Sequence, residues 1–303
     1  MRAPQKPDWI ALDWGTSNMR AWAISNQGAI LDHATSDQGM GGLTPDQFEP
    51  VLLDTIRHWL TDQPMPIIAC GMLGARQGWV EAAYGAVPCP ALSQNLTVAP
   101  TTDPRLTVHI IPGLSQSDPA DVMRGEETQI AGYLAQNPDF DGVICLPGTH
   151  SKWAHVSAGE VVSFRTFMTG EMFSLLAKNS VLRHSIADQG WDEDAFLQTL
   201  DATLSRPEQL AAKLFSLRAE SLLNDQSGDT ARAKLSALLI GAELAAAKPY
   251  WLGQPLALIG APALTRIYAA ALQAQGASVE IADVTAMTLA GLAAIYKSLE
   301  SPT

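Results

Sequence analysis

An internal repeat is the feature of this 303-residue sequence that most constrains its fold. Segments that begin at Ile10 and at Val143 both read as a short apolar strand, a Gly-Thr turn, a second strand, another turn and a third strand. In this alignment Gly15 corresponds to Gly148, at an offset of 133 residues. A unit that recurs in this way indicates two related halves of one chain.

The repeat and the composition together predict an α/β protein with two lobes, residues 1–118 and 119–303, and a central cleft for ligands. Hydrophobic residues make up 47% of the chain and charged residues 17%, which favours packed cores over disorder. The net charge of −12 argues against nucleic acid or an anionic membrane as a partner. The segment Met1–Asp8 is polar, so we expect a cytoplasmic protein. The oligomeric state is left open.

Hydrophobic patterning and turn residues predict the remaining elements. Outside the repeats, the first half is expected to contain strands at 65–70 and 106–111 and helices near 45–59 and 119–136. Residues 71–104 are rich in glycine and proline, and so long an irregular stretch often binds a ligand. The second half is expected to contain helices near 170–183, 192–203, 207–223, 229–247, 263–275 and 285–299, with strands at 256–259 and 279–282.

The two Gly-Thr turns are candidates for phosphate binding, although each alone also reads as an ordinary hairpin turn. Glycine lets the backbone approach an anion closely, and successive N–H groups in a tight turn form an anion-binding concavity. Asp13 precedes the first turn, whereas Leu146 occupies the matching position before the second. One carboxylate beside a polyphosphate suits Mg²⁺, so we expect a polyphosphate and Mg²⁺ as ligands and Asp13 as the metal ligand. The residues predicted to hold the phosphates are Gly15, Thr16, Ser17, Gly148, Thr149, Ser151 and Lys152.

Three segments resemble motifs of the sugar kinase–Hsp70–actin superfamily. Residues 13–21, DWGTSNMRA, resemble its first phosphate motif, and residues 146–153, LPGTHSKW, resemble the second. Residues 258–264, LIGAPAL, resemble its adenosine motif. The resemblance implies two ribonuclease H-like lobes and phosphoryl transfer from ATP. The residues that it places against the nucleoside are Gly260, Ala261 and Leu264.

Further segments are similar to one family of this superfamily, the 2-dehydro-3-deoxygalactonokinases. They are residues 71–81, GMLGARQGWVE, residues 124–129, RGEETQ, and residues 167–171, FMTGE. The resemblance covers nearly the whole chain. It implies transfer of the γ-phosphoryl group of ATP to the 6-hydroxyl of 2-dehydro-3-deoxy-D-galactonate, a step in galactonate catabolism.

Such a kinase needs a base that accepts the proton of the attacking hydroxyl. Glu126 is our candidate because related carbohydrate kinases carry a Gly-Asp pair about 20 residues before the second phosphate motif. Gly125-Glu126 lies 23 residues before Thr149, with glutamate in place of aspartate. Glu127 and Asp121 remain alternatives, and a glutamate at the start of a helix also serves as a cap that compensates the helix dipole.

The carboxylate of such a substrate calls for a cation in its pocket. Arg76 and Arg124 are the candidates because guanidinium binds carboxylate in a bidentate manner. Met40, Trp79 and Tyr84 are candidates for lining the pocket. Two other functions stay open at this point: a related kinase that acts on another sugar or sugar acid, and a non-kinase, actin-like ATPase.

Overall fold

The computed structural model describes residues 6–300, so most of the polar amino-terminal segment that motivated the expected location lies outside them. The strands are β1 (Trp9–Trp14), β2 (Met19–Ile24), β3 (Ile30–Ser36), β4 (Met65–Gly71), β5 (Tyr84–Ala86), β6 (Cys89–Pro90), β7 (Thr97–Val98), β8 (Leu106–Ile110), β9 (Gly113–Ser117), β10 (Ala120–Met123), β11 (Gly142–Leu146), β12 (Ser151–Ser157), β13 (Glu160–Phe167), β14 (Leu256–Gly260) and β15 (Val279–Asp283). The helices are α1 (Phe48–Ile56), α2 (Glu126–Gln136), α3 (Thr169–Asn179), α4 (Glu193–Ser205), α5 (Leu210–Leu223), α6 (Gly228–Ala246), α7 (Lys248–Trp251), α8 (Pro262–Gln273) and α9 (Val284–Glu300). Within residues 6–300, no helix combines the length and the apolar character needed to cross a membrane.

The described chain divides into two compact units, each made of separate segments. The first comprises 6–140, 156–163 and 284–300, and the second comprises 141–155 and 164–283. This division differs from the expected boundary at residue 118. Helices α2 and α9 both belong to the first unit, where glycines at their contact, Gly132 and Gly291, let the two backbones approach closely.

A six-stranded sheet forms the centre of the first unit, in the order β3-β2-β1-β4-β8-β7. Strands β1 and β2 are antiparallel, whereas β1, β4 and β8 are mutually parallel. Nearly every residue of β1 is buried, as expected for a central strand with both faces covered. One face packs on α1 and the other on α9, where Trp9 stacks on Tyr296. A smaller sheet, β10-β9-β5, lies in the same unit.

The sheet of the second unit repeats this order, because β15-β14-β11-β12-β13 matches β8-β4-β1-β2-β3 strand for strand. Strands β11, β14 and β15 are parallel, as are β1, β4 and β8. Each sheet places a Gly-Thr turn directly after its central strand. The repeat predicted from the sequence is therefore present in the structure. The outer part of the β12–β13 hairpin belongs to the first unit, where Glu160 pairs with Pro90.

The structure corrects two predicted elements. The helix expected over 119–136 begins only at Glu126, because residues 120–123 form β10 and Gly125 turns the chain with a φ of 108°. The helix expected over 45–59 begins with a short 3₁₀ turn at residues 45–47, and the α-helix that follows ends at Ile56. The glycine-rich stretch 71–104 contains little regular structure apart from β5, β6, β7 and a 3₁₀ turn at 72–74.

Candidate active site

The first Gly-Thr turn is a tight bend supported by a second glycine-rich loop. The Gly15 N–H donates to the carbonyl of Asn18 over 2.9 Å. The N–H groups of Met40 and Gly41 donate to the carbonyls of Gly15 and Thr16. The Thr16 and Ser17 side chains are exposed. The turn is therefore held through its carbonyls, and both hydroxyls lie at the surface of the unit.

Met40 is tied to this turn through its backbone, while its side chain is half-buried against the core of the first unit. A Cβ at the preceding residue, Gly39, would overlap the backbone of Thr16 and Ser17. Only glycine therefore allows the loop to lie directly on the turn. The predicted contact between Met40 and a substrate stays a prediction.

Asp13 lies at the end of β1, in an ion pair with Arg20 of the neighbouring strand β2. The Arg20 guanidinium also lies over the ring of Trp22, with 5.4 Å between its central carbon and the ring centroid. Its other terminal nitrogen lies 3.5 Å from the hydroxyl of Thr285 on α9. The carboxylate of Asp13 is thus held next to the first turn by a guanidinium that is itself fixed from two sides.

Glycine ends the strand beside each Gly-Thr turn. Gly71 ends β4 with a φ of 98°, and a Cβ there would lie 2.6 Å from the carbonyl oxygen of Trp14. Gly260 ends β14, and a Cβ there would lie 2.9 Å from the carbonyl oxygen of Pro147. The sequence reading singled out Gly260 but missed its counterpart Gly71. Ligands of parallel α/β sheets bind at the carboxyl ends of strands, where both glycines lie.

The junction of β10 and α2 carries the candidate base. Glu126 is the first residue of α2, is half-buried, and accepts a hydrogen bond from the backbone N–H of Arg124 through Oε2 over 3.1 Å. Glu127 is fully buried, and both of its carboxylate oxygens accept from the Gly125 N–H. Asp121 accepts from the N–H of Val122 and is half-buried on β10. Of the two neighbouring glutamates, only Glu126 has an accessible carboxylate.

Burial is the main cause that raises the pKa of Glu127 to about 8, and the neighbouring charge of Glu126 acts in the same direction. Two adjacent carboxylates resist simultaneous ionisation, so a Glu127 that keeps its proton reduces the repulsion between the two groups.

We expect Glu127→Gln to weaken the pH dependence of stability between about pH 5 and pH 8. The folded pKa of about 8 lies above the ordinary 4.5, so the folded chain keeps a proton that the unfolded chain releases. Stability from this group is full at low pH and is lost as the pH rises through 8, by up to about 4–5 kcal/mol. Glutamine stays neutral and keeps an oxygen for the Gly125 N–H. Urea unfolding at pH 5.5 and 8.5 measures the difference. An equal slope for wild type and variant would contradict the expectation, and the exposed Glu208→Gln serves as control.

Arg124 has the properties expected of a residue that binds an anion. The residue is 8% exposed, and its Nη2 donates to the carbonyl of Ala82 over 2.7 Å. The guanidinium lies 4.3 Å from the ring centroid of Tyr84. Within residues 6–300, its Nε and Nη1 have no hydrogen-bond partner. Buried nitrogens without a hydrogen-bond partner are costly, and both of these nitrogens can donate to an acceptor.

Arg76 has different surroundings. Its side chain is 80% exposed and pairs with Glu81 over 3.2 Å, a surface ion pair of little energetic consequence. Trp79, one of the residues predicted to line the pocket, packs in the core against Trp14 and Phe48. Of the two predicted arginines, Arg124 therefore has the geometry of an anion site.

The second Gly-Thr turn is held by the start of α3. The Glu171 N–H donates to the carbonyl of Thr149 over 2.9 Å, and Gly170 lies directly against the backbone of Gly148. The His150 ring lies 2.6 Å from the Glu171 carboxylate. The Thr149 side chain is exposed, like that of Thr16 in the first turn.

Two residues predicted to contact phosphate are buried instead. The hydroxyl of Ser151 is fully buried and lies 2.9 Å from the hydroxyl of Tyr268. Lys152 is 5% exposed on β12. The Ser151 hydroxyl is therefore engaged inside the unit, and the predicted phosphate contacts of both residues stay predictions.

A cavity of about 270 Å³ opens beside this turn within the second unit. Its volume lies near the lower end of small-molecule sites, about 300–1,000 Å³. The lining residues are Gly148, Thr169, Gly170, Phe173, Trp191, Arg232, Ser236, Leu239, Ile240, Ala263, Leu264, Ile267 and Tyr268. Of the three residues predicted to contact a nucleoside, Leu264 lines the cavity. Gly260 and Ala261 are not among the lining residues.

The sequence reading missed the residues that α6 contributes to this cavity. The Arg232 guanidinium lies 5.1 Å from the ring centroid of Phe173 and donates to the carbonyl of Ala187. Ser236 and Ile240 follow on the same face. Their spacing of four residues is the helical period, so the pattern was available in the sequence. What it lacked was any sign of which helix face meets a ligand.

The comparisons with known proteins agree with these motifs. The sequence profile of the 2-keto-3-deoxy-galactonokinase family matches residues 13–295. A Rhizobium meliloti (strain 1021) protein named "Probable 2-dehydro-3-deoxygalactonokinase DgoK1" is 37% identical over 299 residues, which cover 96% of this chain and 97% of that protein. The 2-dehydro-3-deoxygalactonokinase of Escherichia coli (strain K12) is 35% identical over 282 residues, 92% of each chain.

Solved structures agree with the fold. The crystal structure of a "putative 2-dehydro-3-deoxygalactonokinase protein" from Sinorhizobium meliloti superposes with a TM-score of 0.89 at 37% identity, over 97% of this chain and all of that one. The activator of the 2-hydroxyisocaproyl-CoA dehydratase from Clostridium difficile shares the fold, with a TM-score of 0.53 at 13% identity over 96% of both chains. The match over nearly the full length assigns this chain to the 2-keto-3-deoxy-galactonokinase family.

Proposed function

We propose that this chain phosphorylates 2-dehydro-3-deoxy-D-galactonate at its 6-hydroxyl with ATP, as part of galactonate catabolism in the cytoplasm. The relatives that match over nearly the whole chain carry the name of this kinase. The observation that carries the proposal is the pairing of Arg124 and Glu126, two residues apart at the start of α2. Arg124 is a buried cation with two nitrogens that have no hydrogen-bond partner within residues 6–300, and Glu126 is an accessible carboxylate.

Arg124 would bind the substrate carboxylate. A carboxylate would meet one edge of the guanidinium, either Nη1 with Nη2 or Nε with Nη2, while the second hydrogen of Nη2 stays on the Ala82 carbonyl and the guanidinium face stays on Tyr84. A bidentate guanidinium–carboxylate contact is strong and directional, and it would orient a sugar acid but not a neutral sugar.

Glu126 would accept the proton of the attacking hydroxyl. The backbone N–H of Arg124 donates to its Oε2 and so helps to fix the carboxylate at the start of α2. In phosphoryl transfer the protein mainly positions the reactants and stabilises charge, and the base contributes by orienting and deprotonating the nucleophile.

ATP would bind to the second unit. The adenosine moiety suits the largely apolar cavity beside Gly148, with Phe173, Arg232 and Leu264 around the base. The exposed turn at Gly148 and Thr149 would contact phosphate oxygens through its N–H groups and the threonine hydroxyl. In the first unit, Gly15, Thr16 and Ser17 form the second candidate phosphate contact.

Asp13 fits a magnesium ligand. It supplies one hard carboxylate beside the first turn, and Mg²⁺ takes one or two carboxylates with phosphate oxygens and water. In the described part of the chain no group of three potential metal ligands occurs, so phosphate and water would complete the coordination. Bound Mg²⁺ would neutralise charge on the transferred group.

An ADP-release assay across a panel of substrates tests this function. The panel contains 2-keto-3-deoxy sugar acids, saturated sugar acids and neutral sugars, and we expect turnover with 2-dehydro-3-deoxy-D-galactonate to exceed the others. Turnover confined to neutral sugars would favour a related sugar kinase. ADP release that no acceptor stimulates would favour an actin-like ATPase.

We expect Arg232→Ala to raise the KM for ATP about 3- to 30-fold and to leave the KM for the sugar acid unchanged. A guanidinium stacked beside an aromatic ring contributes about 0.5–2 kcal/mol to a bound planar group. Steady-state kinetics with each substrate varied in turn measures both constants. The control is Arg266→Ala, an exposed arginine of α8 outside the cavity. An unchanged KM for ATP would place the nucleotide elsewhere.

A further inference from the structure

A buried carboxylate lies behind the second Gly-Thr turn. Glu243 of α6 is 3% exposed, and its Oε1 accepts a hydrogen bond from Trp153 Nε1 over 2.8 Å. Its Oε2 accepts from the Tyr268 hydroxyl over 2.7 Å and from the Thr169 hydroxyl. The Tyr268 hydroxyl in turn contacts the Ser151 hydroxyl. This set, which we call the Glu243 network, joins four elements of the second unit: β12, α3, α6 and α8.

The Glu243 network contacts two segments that hold the second Gly-Thr turn. In one, Ser151 and Trp153 begin the strand that leaves the turn. In the other, Thr169 opens the helix whose next two residues, Gly170 and Glu171, lie on the backbone of Gly148 and Thr149. A shift of either segment would move the backbone N–H groups of the turn.

Neutral donors surround the carboxylate. A carboxylate accepts hydrogen bonds and donates none when ionised, and the three groups that contact it all carry a hydrogen to donate. Burial raises the pKa of Glu243 above its ordinary value, although hydrogen bonds from Thr169, Trp153, Tyr268 and Ser151 act to lower it. Glu243 lies about two helical turns beyond Ser236, a residue of α6 that lines the cavity, and Glu243 itself does not line it.

We propose that Glu243 is a positioning residue that holds the second Gly-Thr turn in the conformation that binds the phosphates of ATP. It acts through Thr169 on one side of the turn and through Tyr268 and Ser151 on the other, and does not touch the nucleotide. The proposal rests on the nucleotide site proposed above. It predicts a loss that depends on the phosphates and spares the nucleoside.

Glu243→Gln is the variant of choice because it keeps the shape of the side chain. Its carbonyl can still accept from Trp153, but its amide would donate to Thr169 and Tyr268 and so reverse the direction of those bonds. Trp153→Phe removes one donor of the network at a residue that does not line the cavity. The matched control is Thr203→Val, which removes a fully buried hydroxyl that bonds only within its own helix α4.

Calorimetric titration with adenosine, ADP and ATP distinguishes positioning from a general structural role. For Glu243→Gln we expect Kd values for ADP and ATP to rise about 10-fold or more, a Kd for adenosine within 2-fold of wild type, and an unchanged KM for the sugar acid. Equal weakening of adenosine and ATP would mean that the cavity has lost its shape and would overturn the proposal. Unchanged binding of all three would also overturn it.

Two further measurements keep this test separate from that of the site itself. If Arg232→Ala leaves the binding of all three ligands unchanged, the nucleotide site is misplaced, and the failure belongs to that proposal. If Arg232→Ala weakens all three while Glu243→Gln weakens none, only the positioning role fails. Should Glu243→Gln fold poorly in thermal unfolding, Trp153→Phe carries the same expectation and the same contrary outcomes.

Discussion

Arg124→Met is expected to lower kcat/KM for the sugar acid about 100-fold or more, with little change in the KM for ATP. The variant keeps most of the apolar volume beside Tyr84 but removes the guanidinium that we assign to the substrate carboxylate. Loss of one partner of a buried charge pair typically costs about 2–5 kcal/mol, which corresponds to roughly 30- to several-thousand-fold. Steady-state kinetics with the sugar acid varied measures the effect.

Two controls separate this role from a structural one. Arg76→Met removes the exposed arginine that pairs with Glu81, and we expect kcat/KM within 2-fold of wild type. A substrate analogue without the carboxylate should be a poor substrate for both wild type and Arg124→Met, with similar constants for each. If Arg124→Met loses as much activity with the analogue as with the sugar acid, the guanidinium serves the fold and not the carboxylate.

Glu126→Gln is expected to lower kcat about 10²- to 10⁴-fold while the KM values for both substrates change little. A positioned general base contributes a factor of this size, and glutamine keeps the hydrogen bond from the Arg124 N–H without accepting a proton. Single-turnover experiments with saturating ATP and sugar acid report on the chemical step itself.

The competing role for Glu126 is a cap that compensates the dipole of α2. That role predicts a loss of stability of about 0.3–1 kcal/mol and near-normal turnover. Thermal unfolding of Glu126→Gln measures the first, and its kinetics measure the second. Near-normal kcat in Glu126→Gln together with a large loss in Asp121→Asn would transfer the role of base to Asp121.

Local patterns were enough to predict the repeated architecture. Short apolar strands separated by Gly-Thr turns recur at 133 residues, and each copy forms the central strand and the adjacent hairpin of its own sheet. Such strands are readable because burial of a central strand requires apolar residues throughout, and tight turns require glycine. The helices of the second half were readable for the same reason, since their apolar residues follow the helical period.

The extent of each unit depended on tertiary contacts. Residues 284–300 continue the chain after β15, yet α9 packs with α2 in the first unit. The signal for this contact is a pair of glycines, Gly132 and Gly291, whose partners lie more than 150 positions apart in the chain. The start of α2 was misplaced because residues 120–123 pair with β9, a contact that no local pattern reports.

The sequence by itself determined which chemical groups are present: two Gly-Thr turns, an aspartate before only the first turn, and a Gly-Glu pair upstream of the second turn. Only the tertiary structure separated the two candidate arginines, because the Arg76 side chain is 80% exposed whereas Arg124 is 8% exposed, a difference that the sequence does not show. It also brought Glu243 under the second turn. Burial and hydrogen bonding depend on residues far apart in the chain, and therefore they appear only when the chain is folded.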